Sequence, residues 1–481
     1  MKKRTMPRFS LLFLCTAMLA FNACKKKDTA NPDQANTNKY VNDWIYANMK
    51  DYYYWTSSIP ANPDRTKAPD DFFYGLLKNP DDPYSWIENN FEELLASLSG
   101  VQKEAGYGYT LFLHNQNTLL GAQVTYVKKG SPAEIAGLKR GDMFFRINGQ
   151  DFPYSEANGG QQINAFLSAL RENHTINVQQ YFLSAAGEDS LGAARSLSLN
   201  TVVFAENPVY LDTVYTIEGK QIGYFMYNFF SPDKGDSTNA YDNAVDAVFA
   251  RFKTAGVQHL ILDLRYNPGG DQVSTINLGS QIVKNYADKK LFFRREYNTL
   301  LTTEFTRDYG ADFFNMYFTP EAGNIGNSLQ DLVLLTSSET ASASELIING
   351  LKPYMPVYII GDTTAGKNVG STTLYEENDR RNKWGMQPII TKAFNSLGQS
   401  DYGLTGFYPD QWFFESFNLG VLGDTREPLL NLALKKIVGA QWGRMAPPAP
   451  GSRTKVKKVG SSNMSRAFYQ KMFERLPARR P

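Results

Sequence analysis

Asp331-Leu-Val-Leu-Leu-Thr336, then Thr340-Ala-Ser-Ala-Ser-Glu345, Leu346-Ile-Ile-Asn-Gly-Leu351, Val357-Tyr-Ile-Ile360 and Gly361-Asp-Thr-Thr-Ala-Gly-Lys367-Asn-Val-Gly-Ser371, is the stretch that decides the fold. The first apolar run, bounded by Ser and Thr, predicts a short buried strand. Small hydroxyl residues and an acid ahead of an apolar periodic segment predict a helix start at 340–345. Pro353 and Pro356 end that helix, residues 357–360 predict a second strand, and a glycine-bearing loop carries Lys367. So short a crossover implies parallel strands joined by a right-handed connection. Both βα loops then leave the same carboxyl edge of the sheet, on strands ~4.8 Å apart. Ser342 and Lys367 can approach within hydrogen-bonding range at this edge, where open α/β sheets bind ligands.

A third loop points to the same place. His259-Leu-Ile-Leu-Asp-Leu264 is strand-like and enters Arg265-Tyr-Asn-Pro-Gly-Gly270. Glycines at a strand-to-helix turn let backbone N–H groups project into a site with no Cβ in the way. Gly269 and Gly270, with the Ala343 amide at a helix N-terminus, form a candidate oxyanion hole.

The segments Leu262-Asp-Leu-Arg-Tyr-Asn-Pro-Gly-Gly270, Thr340-Ala-Ser-Ala-Ser-Glu345 and Gly366-Lys367 closely resemble the carboxyl-terminal processing, or tail-specific, serine proteases. The resemblance implies that Ser342, the middle serine of its run, is the nucleophile. It implies that Lys367, about twenty-five positions later, is the general base. Thr340 stands where the family run has its first serine, a mild change. Ser371 stands where many members have a glutamine that orients the lysine amine, so Ser371 is the candidate orienting group here.

Each residue taken alone has an ordinary reading. Ser342 could cap a helix, Lys367 could be a solvated loop lysine, and the glycines could form a plain turn. Ser337, Ser338 and Ser344 are lesser candidates, Ser344 as packing in the first helical turn. Glu345 reads as charge complementing the helix dipole, Asp263 with Arg265 as a structural pair, and Lys352 as too far along the helix to serve as base. The three histidines, His114, His174 and His259, sit beside no serine motif, which leaves a Ser-His-Asp triad little material. A lysine base needs its pKa lowered by roughly 3 from about 10.4, worth about 4 kcal/mol of burial and environment. Chemistry would run through an acyl-enzyme, with backbone amides holding the oxyanion.

The amino terminus reads as an export signal. Lys2, Lys3, Arg4 and Arg8 form a basic n-region, residues 11–20 an apolar core, and Phe21-Asn-Ala-Cys24 resembles a bacterial lipobox. That core is too short to span a bilayer. Of two cysteines, Cys15 would leave with the signal and Cys24 would carry the lipid, so no internal disulfide is expected. Lys25, Lys26 and Lys27 could lie against anionic headgroups. The expected location is the cell envelope, anchored on its periplasmic or surface side.

The chain has 481 residues with a formal net charge of +2, which is too long for one core and gives no reason to expect nucleic-acid partners. The expected architecture is multidomain α/β. Residues 1–24 form the signal, 25–38 a flexible tether and 39–98 a small aromatic-rich helical domain. Residues 99–205 form a PDZ-like β domain, 206–440 an α/β core and 441–481 a basic, proline-containing disordered tail. The resemblance implies that this core is ClpP/crotonase-like. Gly106-Tyr107-Gly108-Tyr109 resembles a PDZ carboxylate-binding loop, and Gly130-Ser-Pro-Ala-Glu-Ile-Ala-Gly-Leu-Lys-Arg-Gly-Asp142 is a specific PDZ signature. Consecutive amides in such a loop can hold a peptide's terminal carboxylate while the neighbouring strand pairs with its backbone. Residues 287–330 fit no simple βα unit and are expected to form a lid.

The reading that follows is a serine endopeptidase without cofactor or metal, acting on polypeptides recruited through their C-termini. The alternative is a non-catalytic binding protein or PDZ scaffold on the same fold.

Overall fold

The computed structural model describes residues 32–183, 189–439, 457–466 and 469–477. The signal, the lipobox with Cys24 and the proline cluster at 447–450 lie outside them. Among the described residues no helix is long and apolar enough to cross a membrane.

Helix α1 (Pro32–Tyr52) is the first described element. It starts at a proline whose fixed φ suits a first helical turn, so residues 32–38 of the expected tether are helical. Val41, Ile45 and Met49 recur four apart and bury one face against Phe72, Phe73 and Tyr84.

In the PDZ-like domain, β1 (Tyr107–His114) and β2 (Leu119–Val127) pair antiparallel. Helix α2 (Gly159–Arg171) lays Ile163, Phe166, Leu167 and Leu170 onto that sheet. Val101–Glu104 pairs with Val202–Ala205 and brings the two ends of the domain together. Gly106 precedes β1 at φ 89°, and a Cβ there would meet the Ser131 Cβ at 2.2 Å, so the loop requires glycine.

The core begins with strand Val209–Ile217, β3 (Lys220–Tyr227), α3 (Ala240–Thr254), β4 (His259–Asp263), β5 (Gly269–Asp271) and α4 (Gln272–Ile282). It continues through β6 (Leu291–Tyr297), β7 (Asp331–Thr336), α5 (Ala343–Leu351), β8 (Tyr358–Gly361), β9 (Val369–Thr372), β10 (Ile389–Asn395) and α6 (Pro428–Val438). Two more strands follow, β11 (Lys458–Ser461) and β12 (Lys471–Glu474).

Strand Val209–Ile217, β3, β4, β7, β8 and Gln411–Trp412 form the first core sheet in that order, parallel from β3 onward. Leu260 and Leu262 face one side with Leu332, Leu334 and helices α3 to α5. Ile261 faces the other with Val333, Leu335 and α6. Burial on both faces is why these strands are unbroken apolar runs rather than alternating ones. The second sheet runs β5, β12, β9, β10, β6 and Asn315–Tyr317.

Two expectations are corrected by the strand pairing. Residues 287–330 are not a lid: β6 pairs antiparallel with β10 and Asn315–Tyr317, and its Phe292, Phe293 and Tyr297 are core residues. Nor is the described part of 441–481 disordered. β11 adds to β1 of the PDZ-like domain, and β12 lies between β5 and β9. Strands this short are held by backbone bonds to existing edges, and side-chain periodicity carries no sign of that.

Candidate active site

Ser342 opens α5 at the carboxyl end of β7, and Lys367 follows β8, so the crossover brings both to one sheet edge. Ser342 has φ 63° and ψ −110°, a conformation costing a non-glycine residue about 1–3 kcal/mol. Its hydroxyl is fully buried and makes no hydrogen bond, and Lys367 is fully buried too. Strain and an unsatisfied buried hydroxyl at one residue are uneconomical for packing alone.

What holds the two loops together is Glu345. Its Oε2 accepts the Ser342 N–H at 2.7 Å and the Lys367 N–H at 2.8 Å. Its Oε1 accepts the Gly366 N–H at 2.7 Å and the Thr364 hydroxyl at 2.6 Å. Burial pushes this carboxyl up to about 7, against the downward pull of those four donors. Sequence reasoning assigned Glu345 only a helix-dipole role. Its position three residues into the helix was visible, but its reach to a loop twenty residues on was not.

Tyr84 also went unremarked. Its hydroxyl donates to the Gly366 carbonyl at 3.1 Å, and the Lys367 Nζ stands 5.0 Å from its ring centroid. An aromatic face suits a cation, so a residue before the PDZ-like domain contributes a wall around the lysine.

The Gly-Gly loop is arranged differently from expectation. The Gly269 N–H donates to Asn267 Oδ1 at 2.9 Å, which commits it elsewhere and removes it as an oxyanion donor. Phe230 N–H bonds Gly269 O, and Asp271 N–H bonds Phe230 O. In a parallel bridge this turns the Gly270 amide to the opposite side, toward β12. Gly270 has φ 138°, and a Cβ there would meet the Phe230 carbonyl at 2.0 Å. Ala343 stands in the first turn of α5, where helices leave amides without intrahelical partners. Gly270 and Ala343 therefore remain the candidate donors.

Asn267, another residue not singled out, ties this loop to α5. Its Nδ2 donates to Tyr227 O at 2.9 Å, and its carbonyl accepts from Ser344 Oγ at 3.1 Å and Ala341 N at 3.2 Å. Ser344 is thereby structural. Ser337 donates to the Arg265 carbonyl, and Ser338 is exposed. The Ser371 hydroxyl donates to the Met472 carbonyl at 3.2 Å.

The histidines lie elsewhere. His259 Nδ1 is 2.7 Å from Asp331 Oδ2, His174 Nε2 is 3.0 Å from the Tyr107 hydroxyl, and His114 is on β1. Among the described residues no group of three or more His, Cys, Asp or Glu is placed to hold a metal ion.

Three family models match the chain. Peptidase family S41 covers residues 221–411, the Peptidase S41 N-terminal domain 40–86, and a PDZ domain 123–180. The core of the chain is thus similar to peptidase family S41. The chain is similar to a Staphylococcus aureus (strain bovine RF122 / ET3-1) protein named "Probable CtpA-like serine protease", with 27% identity over 343 residues. That alignment covers 71% of this chain and 58% of the relative, so the chain spans less than two thirds of the staphylococcal protein's length. The "Carboxyl-terminal-processing protease" of Picosynechococcus sp. (strain ATCC 27264 / PCC 7002 / PR-6) is 26% identical over 335 residues, 69% of each chain. A crystal structure assigned to the S41 proteases, from Bacteroides fragilis NCTC 9343, superimposes with a TM-score of 0.65 at 26% identity. It covers 82% of this chain and 96% of that one.

Proposed function

We propose that this chain is a serine endopeptidase in which Ser342 attacks the scissile carbonyl and Lys367 takes its proton. The observation that carries the reading is the shared Glu345 oxygen. One carboxylate accepts from the amides of both residues, which fixes nucleophile and base relative to each other before substrate arrives. The Gly270 and Ala343 amides are the donors for the tetrahedral oxyanion. Lysine regenerates its proton balance by passing the proton to the leaving amine, and water then releases the acyl group.

Substrates on this reading are polypeptides of the envelope or exterior, selected through their C-terminal segments by Gly106, Tyr107, Gly108 and Tyr109. A lipid on Cys24 would hold the enzyme at the membrane. The test is digestion of casein by the chain following Cys24, beside its Ser342→Ala form. Cleavage by the parent alone establishes the nucleophile. Cleavage by both forms assigns the activity to another source. Absence of cleavage, together with failure of Ser342 to react with a serine-directed fluorophosphonate, moves the reading to a binding protein on the same fold.

A further inference from the structure

Both surfaces on which this molecule would take a peptide are already filled by its own C-terminal segment. At the PDZ-like domain, β11 pairs antiparallel with β1: Lys458 stands opposite Phe112, Gly460 opposite Leu111 and Ser461 opposite Thr110. The segment therefore runs toward the Gly106 loop, the direction in which a peptide adds to such a strand with its end at the loop. Where a terminal carboxylate would accept a loop amide, Ser462 Oγ accepts the Tyr109 N–H at 3.0 Å. On the opposite wall, Arg171 of α2 donates to the Ser465 carbonyl at 3.3 Å.

In the core, β12 lies between the Gly-Gly strand and the strand that follows the lysine loop. Gly270 stands opposite Met472, and Ser371 opposite Phe473. Thr372 Oγ1 donates to the Glu474 carbonyl at 3.0 Å. A substrate strand must use this slot if its carbonyl is to reach the Gly270 amide and the Ser342 hydroxyl together. With the slot filled, Ser342 and Lys367 are sealed from solvent, although hydrolysis needs both a peptide and water. Between the two strands, Arg466 anchors the segment to Glu206 at 2.6 Å and to the Tyr126 hydroxyl at 2.8 Å.

We infer that residues 458–466 and 469–474 are an intramolecular ligand that closes both recognition surfaces, and that an incoming extended polypeptide must displace them. The occupant also states the chemistry that the slot accepts. Met472 and Phe473 enter apolar clusters, and the next residue, Glu474, meets Arg295 and the Tyr297 hydroxyl. A displacing segment carries two apolar residues followed by an acid. The occupancy stands on the strand register alone, and only its consequence for cleavage rests on the Ser342–Lys367 reading.

Because the segment is tethered, it competes at an effective concentration on the order of millimolar, so an added peptide gains access only when the tether's own pairing is weakened. The test uses the chain following Cys24 in a Ser342→Ala background, with Met472→Pro to remove a strand N–H and separately Glu474→Ala to free Arg295. The probe is a fluorescein-labelled synthetic peptide of residues 457–476, read by anisotropy. Each variant is expected to bind it at least about ten-fold more tightly than the parent, and a peptide of scrambled order is expected not to bind. In the Ser342 forms, casein cleavage is expected to rise by a similar factor. Unchanged peptide affinity in both variants, with circular dichroism retained, overturns the inference. If Met472→Pro fails to fold, Glu474→Ala and hydrogen exchange of the parent decide. β11 and β12 should exchange together and faster than β4 and β7, whereas exchange as slow as those strands overturns the proposal. Tighter peptide binding with no casein cleavage in any form keeps the self-ligand and removes the dyad reading. Cleavage by the parent at the variants' rate, with no gain in binding, does the reverse.

Discussion

Two buried polar clusters lie on adjacent loops of the core sheet, and they neutralise their carboxylates by opposite means. Around Arg265 the charges are paired. Its guanidinium meets Asp263 at 2.7 Å, Glu427 at 2.7 Å and Glu415 at 3.1 Å, and Arg140 of the PDZ-like domain meets Glu415 at 3.0 Å. Burial by itself would raise Glu415, but Arg140 and Arg265 outweigh it and hold the group at about 2. Around Ser342 the single carboxylate, Glu345, is met by three backbone amides and a hydroxyl, and burial wins, raising it to about 7. Cations lock a carboxylate in its charged form and join domains. Amides position a carboxylate while leaving it able to titrate, which suits a site whose geometry rather than charge must be fixed.

The sharpest test of this contrast removes the reacting groups. Ser342→Ala and Lys367→Ala are each expected to reduce casein cleavage at least about a thousand-fold, with circular dichroism and melting temperature retained. Loss of folding in both would show the cluster to be structural. The converse is expected of Arg265→Ala, which leaves three buried carboxylates short of a cation. Urea denaturation should show a loss of about 3–5 kcal/mol. A loss below about 1 kcal/mol would remove the network's role in joining the PDZ-like domain to the core.

Glu345→Gln stands between these. An amide keeps one acceptor but turns an NH2 toward amide donors, so about 2–3 kcal/mol of stability and most of the cleavage should go. Cleavage kept at the parent level would break the positioning argument. The same variant isolates a pH effect. A carboxyl raised from 4.5 to about 7 by folding favours the fold below pH 4.5, and that contribution is lost as pH rises through 7. Asp242, also raised to about 7, acts in the same window. The parent's melting temperature should therefore fall between pH 4.5 and 7, and Glu345→Gln should fall less steeply. Equal slopes would remove Glu345 from the effect and leave it to Asp242 and the other carboxyls that burial raises, Asp271 and Glu339 among them.

The smallest expected effect is at Ser371. Its hydroxyl bonds the Met472 carbonyl, so Ser371→Ala should cost about 1 kcal/mol and change cleavage by less than about ten-fold. A larger fall, with the pH profile shifted, would return Ser371 to orienting the lysine.

Much of this was legible in the sequence because it is carried by local chemistry. Unbroken apolar runs at 259–264, 331–336 and 357–360 require strands buried on both faces, and a short crossover between the last two requires them to be parallel. Those two facts alone place Ser342 and Lys367 at one edge. Gly270 and Gly106 were legible because no other residue fits their positive φ and their close neighbours. Glu345 and Asn267 were only partly legible: their types and positions could be read, but not the distant amides that they meet.

The sequence by itself determined the parallel core strands, the loops that bear serine, lysine and glycine, and the PDZ signature. The strands and loops follow from periodicity, crossover length and a conformation open to glycine, and the PDZ signature from resemblance to that domain. The tertiary structure alone decided that Asn267 takes the Gly269 amide and that Tyr84 walls the lysine. It also decided that the described C-terminal residues supply one strand to the edge of β1 and another between β5 and β9. Backbone pairing at an open edge depends on which edge is left free and how far the chain can reach. No pattern within the pairing segment itself records either.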